Sequence, residues 1–108
     1  MKRGSIYWVN LEPTTPPEVG KLRPALIVSN SEQNSILGSV VVVPLSSKPG
    51  EIWPLRLEIQ ISARKKSFAV IPGIRQVSKS RLNKLIGILT AAQMKCITEA
   101  IHTYLGNY

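Results

Sequence analysis

The side chains of this sequence that could do chemistry are mainly arginine, lysine and serine, together with isolated glutamates. The chain has one histidine, His102, and its six acidic residues are all glutamates. A catalytic pair of histidines is therefore impossible, and the scattered glutamates lack the spacing of a two-metal site. The single cysteine, Cys96, excludes an internal disulfide and cysteine-based zinc or iron–sulfur sites. The sequence predicts chemistry with no metal and no cofactor.

Arginine and hydroxyl groups can still cleave RNA, because the substrate carries its own nucleophile, the ribose 2′-hydroxyl. The protein must align that hydroxyl and stabilise the charge that develops on the phosphate, and a guanidinium fork suits the second task. Arg23 precedes Pro24, which favours extended geometry at a strand entrance. Ser46 follows an apolar strand, and Glu18 could accept the 2′-proton or orient Arg23. The simpler interpretations are an exposed arginine, a polar turn and a solvated loop acid.

The formal net charge of +8 and the isoelectric point near 10.1 favour a polyanionic partner. A basic protein that is merely soluble, or one that binds an acidic protein, has the same composition. Arg64-Lys65-Lys66 could follow a phosphate backbone, although charged runs are more often solvated faces. Two tryptophans could stack on bases; we expect Trp8 to be in the core and Trp53 to be exposed.

These side chains must be positioned by short strands. Period-two alternation and branched residues predict seven of them, and the four consecutive valines within the third indicate a central strand. The segment Glu12–Leu22 holds three prolines and Gly20, so we expect a long loop there. The predicted strands are Ser5–Leu11, Pro24–Asn30, Gly38–Leu45, Pro54–Ile61, Ser67–Ile71, Ile74–Val77 and Leu82–Leu89.

The C-terminal segment predicts one amphipathic helix. Thr90 and Gln93 have the spacing of a capping box, and Gly106 supplies a stop. The apolar positions Met94, Ile97, Ile101 and Tyr104 recur at helical spacing. Strands followed by one helix predict a mainly β single domain, a small barrel or strongly bent sheet with the helix packed on it. No signal peptide or membrane span is visible, and the lone cysteine fits a reducing, cytoplasmic setting.

Four stretches, in this order, resemble the MazF/PemK family of toxin endoribonucleases. The first two are an opening strand that runs into Pro13 and a block that ends in Arg23-Pro24. The third is the turn after Pro44, and the fourth follows an isoleucine–arginine pair. The stretches are Gly4–Thr14, Glu18–Val28, Val43–Lys48 and Ile74–Leu82.

The resemblance implies an SH3-like barrel of the CcdB/MazF type with a C-terminal α-helix, a symmetric homodimer, and an antitoxin with an acidic C-terminal segment. It also implies metal-independent, sequence-specific cleavage of single-stranded RNA through a 2′,3′-cyclic phosphate. The family's catalytic arginine, threonine and loop acid match Arg23, Ser46 and Glu18. Lys21, Ser47, Lys48 and Arg75 lie in the same blocks, and we expect them to bind RNA.

The sequence departs from the family pattern at two places, and these leave alternatives open. Serine stands at position 46 where the family has threonine, and Pro72-Gly73 replaces an acid–glutamine pair before the isoleucine–arginine block. A non-enzymatic toxin of the same fold that binds DNA gyrase is one alternative. A catalytically inactive relative that binds RNA or an antitoxin is the other.

Overall fold

The computed structural model describes residues 1–106, and in that range it contains seven β-strands and two α-helices. The strands coincide with the runs of branched and aromatic residues that pack well on a pleated surface. The elements are β1 (Ser5–Asn10), β2 (Leu22–Ile27), α1 (Ser31–Ile36), β3 (Ser39–Ser46), β4 (Arg56–Ser62), β5 (Lys65–Val70), β6 (Arg75–Ser78), β7 (Leu82–Ile88) and α2 (Ala91–Tyr104).

The strands form one antiparallel sheet in the order β4-β5-β3-β2-β1-β7. Strand β3 is the centre of this sheet, as predicted from its valines. Its first half pairs with β6, its last two residues pair with β5, and its other edge pairs with β2. Strand β3 therefore pairs with three other strands, and its last two residues are held by β5.

The two outer strands approach each other, so that the sheet bends into a half-barrel. Gly87 in β7 shows how close they come. A Cβ atom added to Gly87 would lie 3.2 Å from the carbonyl oxygen of Ile61 in β4. The predicted mainly β barrel with a C-terminal helix is therefore confirmed.

Two clusters of buried apolar side chains lie on the faces of the bent sheet. In the first, Ile6, Leu26 and Val43 pack with Met94 and Ile97 of α2. The second cluster has no helix over it. It consists of Val9, Leu11, Ala25, Ile27, Val40, Val42 and Val77.

Helix α2 begins and ends as the sequence predicts. Thr90 and Gln93 form a complete capping box, and Gly106 has a left-handed φ of 89°. Met94 and Ile97 are buried, whereas Tyr104, the last residue of the helix, is 41% exposed. Within residues 1–106 no helix is long and apolar enough to cross a membrane.

The structure shifts the limits of the predicted strands by one to three residues and adds one element, and two of the shifts concern the candidate site. Strand β2 begins at Leu22, so Arg23 lies inside the strand and not at its entrance. Ser46 is the last residue of β3 and does not follow it. The short helix α1 was not predicted from sequence, although Asn30 caps it by accepting hydrogen bonds from the backbone N–H groups of Glu32 and Gln33.

Candidate functional site

Arg23 and Ser46 are brought together by the pairing of β2 with β3. In this antiparallel ladder Ala25 is opposite Pro44. The observed pairing ends at these two residues, and Arg23 and Ser46 lie two residues beyond it on their respective strands. Both side chains line one cleft, so these two candidates share a site although they lie in different strands.

This cleft has a volume of about 420 Å³, and its lining is positively charged. Three of its side chains are cationic and none is a carboxylate. Such a lining focuses a positive potential into a concave surface and favours an anion. The cleft is lined by Trp8, Leu22, Arg23, Pro24, Leu45, Ser46, Ser47, Lys48, Lys65 and Ser67.

Arg23 is half-buried, and one edge of its guanidinium is already engaged. Nε donates a hydrogen bond of 2.6 Å to the carbonyl oxygen of Gly20. The terminal Nη1 and Nη2 have no hydrogen-bond partner among residues 1–106. A guanidinium fixed at Nε and free at its two terminal nitrogens presents a fork that matches two phosphate oxygens.

Ser46 is fixed through both its backbone and its side chain. Its carbonyl oxygen accepts a 3.0 Å hydrogen bond from Oγ of Ser67, and its own Oγ accepts one of 3.1 Å from the backbone N–H of Lys48. Since that oxygen is already an acceptor, the hydroxyl hydrogen remains to be donated. The arrangement therefore offers a hydrogen-bond donor opposite the free edge of Arg23.

Sequence reasoning missed Ser67, named Lys65 only as part of a basic run, and misplaced Trp8. Strand β5 brings Lys65 and Ser67 next to the end of β3. Trp8 was expected in the core; it is half-buried and lines the cleft instead. The Nζ of Lys65 lies 5.9 Å from the centroid of the Trp8 ring, within the range of a cation–π interaction. The basic run at residues 64–66 was the available signal for Lys65. Trp53 is 55% exposed, as expected.

Glu18 does not lie with Arg23 and Ser46. It lines a smaller cleft of about 120 Å³ that also contains Arg75, Pro72 and Gly73. Its Oε1 accepts a 2.5 Å hydrogen bond from the backbone N–H of Thr15. The expectation that Glu18 stands beside Arg23 is therefore not met by this geometry, although 18 and 23 are close in sequence.

Three of the four predicted RNA-binding residues line one or the other of the two clefts. Ser47 and Lys48 line the larger cleft and Arg75 lines the smaller one, where its Nη1 donates a 3.0 Å hydrogen bond to the carbonyl oxygen of Leu11. Lys21 is exposed and lines neither.

The Pro72-Gly73 pair of the smaller cleft is packed tightly. A Cβ atom added to Gly73 would lie 2.6 Å from Cγ of Pro44 and 3.5 Å from Val19. Distances below 3.0 Å do not occur between such atoms, so the ring of Pro44 occupies the space that a side chain at position 73 would need.

The described part of the chain offers no metal site of the usual kind. No three side chains of histidine, cysteine, aspartate or glutamate within residues 1–106 are close enough to share an ion. A single ion pair, Lys66 with Glu58 at 4.0 Å, is formed in this range. Most of the excess positive charge is therefore available to the solvent or to a partner.

Comparison with known proteins shows a match over almost the whole chain. Residues 2–105 match the family of PemK-like, MazF-like toxins of type II toxin-antitoxin systems. The endoribonuclease MazF9 of Mycobacterium tuberculosis is 30% identical over 115 aligned residues, which cover 97% of this chain and 96% of the relative. The endoribonuclease MazF of Staphylococcus saprophyticus is 30% identical over 110 residues, which cover 98% and 92%.

Solved structures give the same result. A mycobacterial endoribonuclease, in complex with its cognate antitoxin, superposes with a TM-score of 0.82 at 28% identity, covering 98% of this chain and 95% of that one. MazF of Deinococcus radiodurans has the same fold, with a TM-score of 0.86 at 20% identity and coverage of 98% and 96%. With the match to the family over residues 2–105, these similarities show that the chain belongs to the PemK-like, MazF-like toxins of type II toxin-antitoxin systems.

Proposed function

We propose that this protein is the toxin of a type II toxin–antitoxin pair and that it cleaves single-stranded RNA without a metal ion. The observation that carries the proposal is the shared cleft of Arg23 and Ser46, whose lining includes Lys48 and Lys65 but no carboxylate. That site is suited to a phosphodiester. Similarity to proteins named endoribonuclease over nearly the full length supports the same activity.

The reaction needs only groups of the RNA, this cleft and water. The ribose 2′-oxygen attacks the adjacent phosphorus and its proton passes to water, while the bond from phosphorus to the 5′-oxygen breaks. Arg23 donates hydrogen bonds to the phosphate and a proton to the departing oxygen, and water returns that proton to Arg23. Ser46 donates to a non-bridging oxygen. The products are a 2′,3′-cyclic phosphate and a 5′-hydroxyl.

The supporting residues supply affinity and orientation. Ser47 and Lys48 flank the scissile phosphate, and Lys65 adds a cation beside the half-buried ring of Trp8. A ring of this kind can stack on an unpaired base, which favours single-stranded over duplex RNA. We propose that Arg75 and Lys21 contact the RNA further from the cut.

The partners follow from charge and from the relatives. We propose a cognate antitoxin with an acidic C-terminal segment, because the net charge of +8 is an excess of positive charge that the acidic residues of this chain cannot neutralise. One similar structure was solved with its cognate antitoxin. We also propose a homodimer of single-domain chains that acts in the cytoplasm, where messenger RNA is available.

The test is cleavage of mixed single-stranded RNA by the purified protein in EDTA. We expect fragments with 5′-hydroxyl ends, which a polynucleotide kinase labels without prior phosphatase treatment. Arg23→Ala should lower kcat by about 10³-fold, because it removes both the phosphate clamp and the proton donor. Lys95→Ala, which removes one exposed positive charge on α2, is the matched control and should stay active.

Three outcomes would count against the proposal. One is cleavage that requires added metal, and a second is cleavage that Arg23→Ala leaves unchanged. The third is growth arrest with intact RNA. Recovery of DNA gyrase with the protein would then favour a non-enzymatic toxin, whereas RNA binding without cleavage would favour an inactive relative.

A further inference from the structure

The carboxylate of Glu12 closes the long loop between β1 and β2, which we call the β1–β2 loop (residues 11–21). Oε1 of Glu12 accepts a 2.5 Å hydrogen bond from the backbone N–H of Lys21, nine residues along the chain. Oε2 accepts one of 3.2 Å from the backbone N–H of Thr14. One side chain at the start of the loop thus fixes the backbone at the end of it.

Lys21 has an unusual backbone conformation that needs such fixing. Its φ is 71°, and it is the only residue other than glycine with a positive φ in the described chain. Residues with a Cβ atom avoid this region unless surrounding contacts impose it. Here its N–H donates to Glu12 and its carbonyl oxygen accepts a 2.9 Å hydrogen bond from the backbone N–H of Leu11.

Gly20 connects this turn to Arg23. A Cβ atom at position 20 would overlap both Oε1 of Glu12 and Oγ1 of Thr14, so the carboxylate lies directly against the Gly20 backbone. The carbonyl oxygen of Gly20 accepts the 2.6 Å hydrogen bond from Nε of Arg23. The orientation of that carbonyl depends on the peptide that joins Gly20 to Lys21, and Glu12 holds the N–H of the same peptide.

We propose that Glu12 is a positioning residue for Arg23, acting through the peptide between Gly20 and Lys21. Glu12 does not line the cleft, so it does not touch the substrate. Its carboxylate holds the N–H of this peptide, and the carbonyl oxygen of the same peptide accepts the hydrogen bond from Nε of Arg23. With Nε held in this way, the terminal nitrogens of Arg23 face the phosphate. The inference rests on the proposed ribonuclease function for its kinetic effect, but its structural part does not.

The kinetic test is a double-mutant cycle between Glu12 and Arg23. We expect Glu12→Ala to lower kcat by about 10- to 100-fold, with KM for a short RNA changed less than about threefold, since a small misplacement of a catalytic group has effects of this size. In the Arg23→Ala background the same change should have almost no further effect. Effects that multiply in the double variant would overturn the proposal.

A second variant separates positioning from a general loss of folding. Glu12→Gln keeps the size of the side chain, but it replaces one acceptor oxygen by a donor NH₂ that faces a backbone N–H. It should remain folded, with an unfolding midpoint lowered only slightly because Glu12 is exposed, and still lose kcat by about 10-fold. Glu99→Ala, which removes an exposed carboxylate of α2, is the matched control for charge. A fully active Glu12→Gln would refute the proposal.

One measurement is independent of RNA cleavage. Hydrogen exchange of the Arg23 Nε–H group, followed by NMR in the free protein, should be slow in the wild type and at least tenfold faster in Glu12→Gln. Equal exchange in the two proteins would exclude positioning through Gly20. If the wild type cuts no RNA, the proposed function fails, while this exchange measurement still decides the role of Glu12.

Discussion

Two loops adjoin the strand residues Arg23 and Ser46 that line the cleft, and they are held in opposite ways. The β1–β2 loop precedes Arg23 and is closed by a carboxylate, Glu12, that accepts hydrogen bonds from backbone N–H groups. The β3–β4 loop (residues 47–55) follows Ser46 and is closed by a guanidinium. Arg56 donates from Nη2 to the carbonyl oxygen of Lys48 at 2.5 Å and from Nε to that of Gly50 at 3.0 Å.

The difference matches the groups that each loop presents. The carboxylate fixes a peptide whose carbonyl must face the Nε of a cation, so the β1–β2 loop provides an acceptor for Arg23. The guanidinium of Arg56 holds the carbonyl oxygen of Lys48, and the N–H of the same residue donates to Oγ of Ser46. The β1–β2 loop orients a positive charge, whereas the β3–β4 loop frees a hydroxyl hydrogen for the substrate.

The strongest test of this comparison is at Ser46. Ser46→Ala removes the donor and should lower kcat by about 10²-fold, which is typical of a lost donor to a developing oxyanion. Ser46→Thr keeps the hydroxyl and restores the family residue, and its methyl group restrains the rotamer. Steady-state cleavage of one RNA should therefore show Ser46→Thr within about threefold of the wild type. Equal loss in the two variants would mean that the hydroxyl is not the active group.

Substitution of Arg56 should lower activity less than substitution of Ser46, because it changes only the closure of the β3–β4 loop. Arg56→Ala removes two hydrogen bonds to backbone carbonyls and the contact with the Phe68 ring, whose centroid is 5.8 Å away. We expect kcat/KM to fall about 10-fold and the free energy of unfolding, measured in guanidinium chloride, to fall by about 1 kcal/mol.

The matched variants for Arg56 separate shape from charge. Arg56→Lys keeps the charge but has no fork that can reach two carbonyls, so it should recover little of the activity. Arg64→Ala, in the exposed turn between β4 and β5, should be close to the wild type. A fully active Arg56→Lys would show that only the charge of residue 56 matters. The claim that a guanidinium fork closes the β3–β4 loop would then be wrong.

Glu18 should give the smallest effect. Since it lines the cleft of Arg75 and not that of Arg23, Glu18→Gln should change kcat by less than about threefold. A general base contributes about 10²- to 10⁴-fold, so the measurement discriminates clearly. A loss of 100-fold would restore Glu18 as the acceptor of the 2′-proton and would require the β1–β2 loop to move when RNA binds.

The strands and helices were predictable wherever the apolar residues recur with a clear strand or helix period. The alternation in β4 and the capping box of α2 were sufficient, because local burial and capping decide those segments. Helix α1 was missed because six residues carry too little periodic pattern, although Asn30 followed by Gln33 is a usable capping signal. The start of β2 was placed too late because Pro24 suggested a boundary. Pro24 lies inside the ladder, opposite Trp8.

The site was predictable only in part. The sequence indicates which residues could act in a site, but it does not show which of them lie close together in the folded chain. The resemblance pointed to Arg23 and Ser46, and the register of β2 with β3 places them together. Lys65 and Ser67 reach the cleft only through the pairing of β5 with β3, a contact between distant segments that no local pattern encodes. Glu18 was misplaced because closeness in sequence was taken for closeness in space.

The contact between Gly73 and the ring of Pro44 couples two positions that belong to different parts of the family pattern. An amino acid with a Cβ atom at 73 can be accommodated only if the ring of Pro44 or the backbone around residue 73 shifts, and Pro44 lies two residues before Ser46. Substitutions in the smaller cleft are therefore mechanically linked to the strand end that carries the hydroxyl. We expect single replacements at 73 to lower the free energy of unfolding, and replacements paired at 44 and 73 to lower it less.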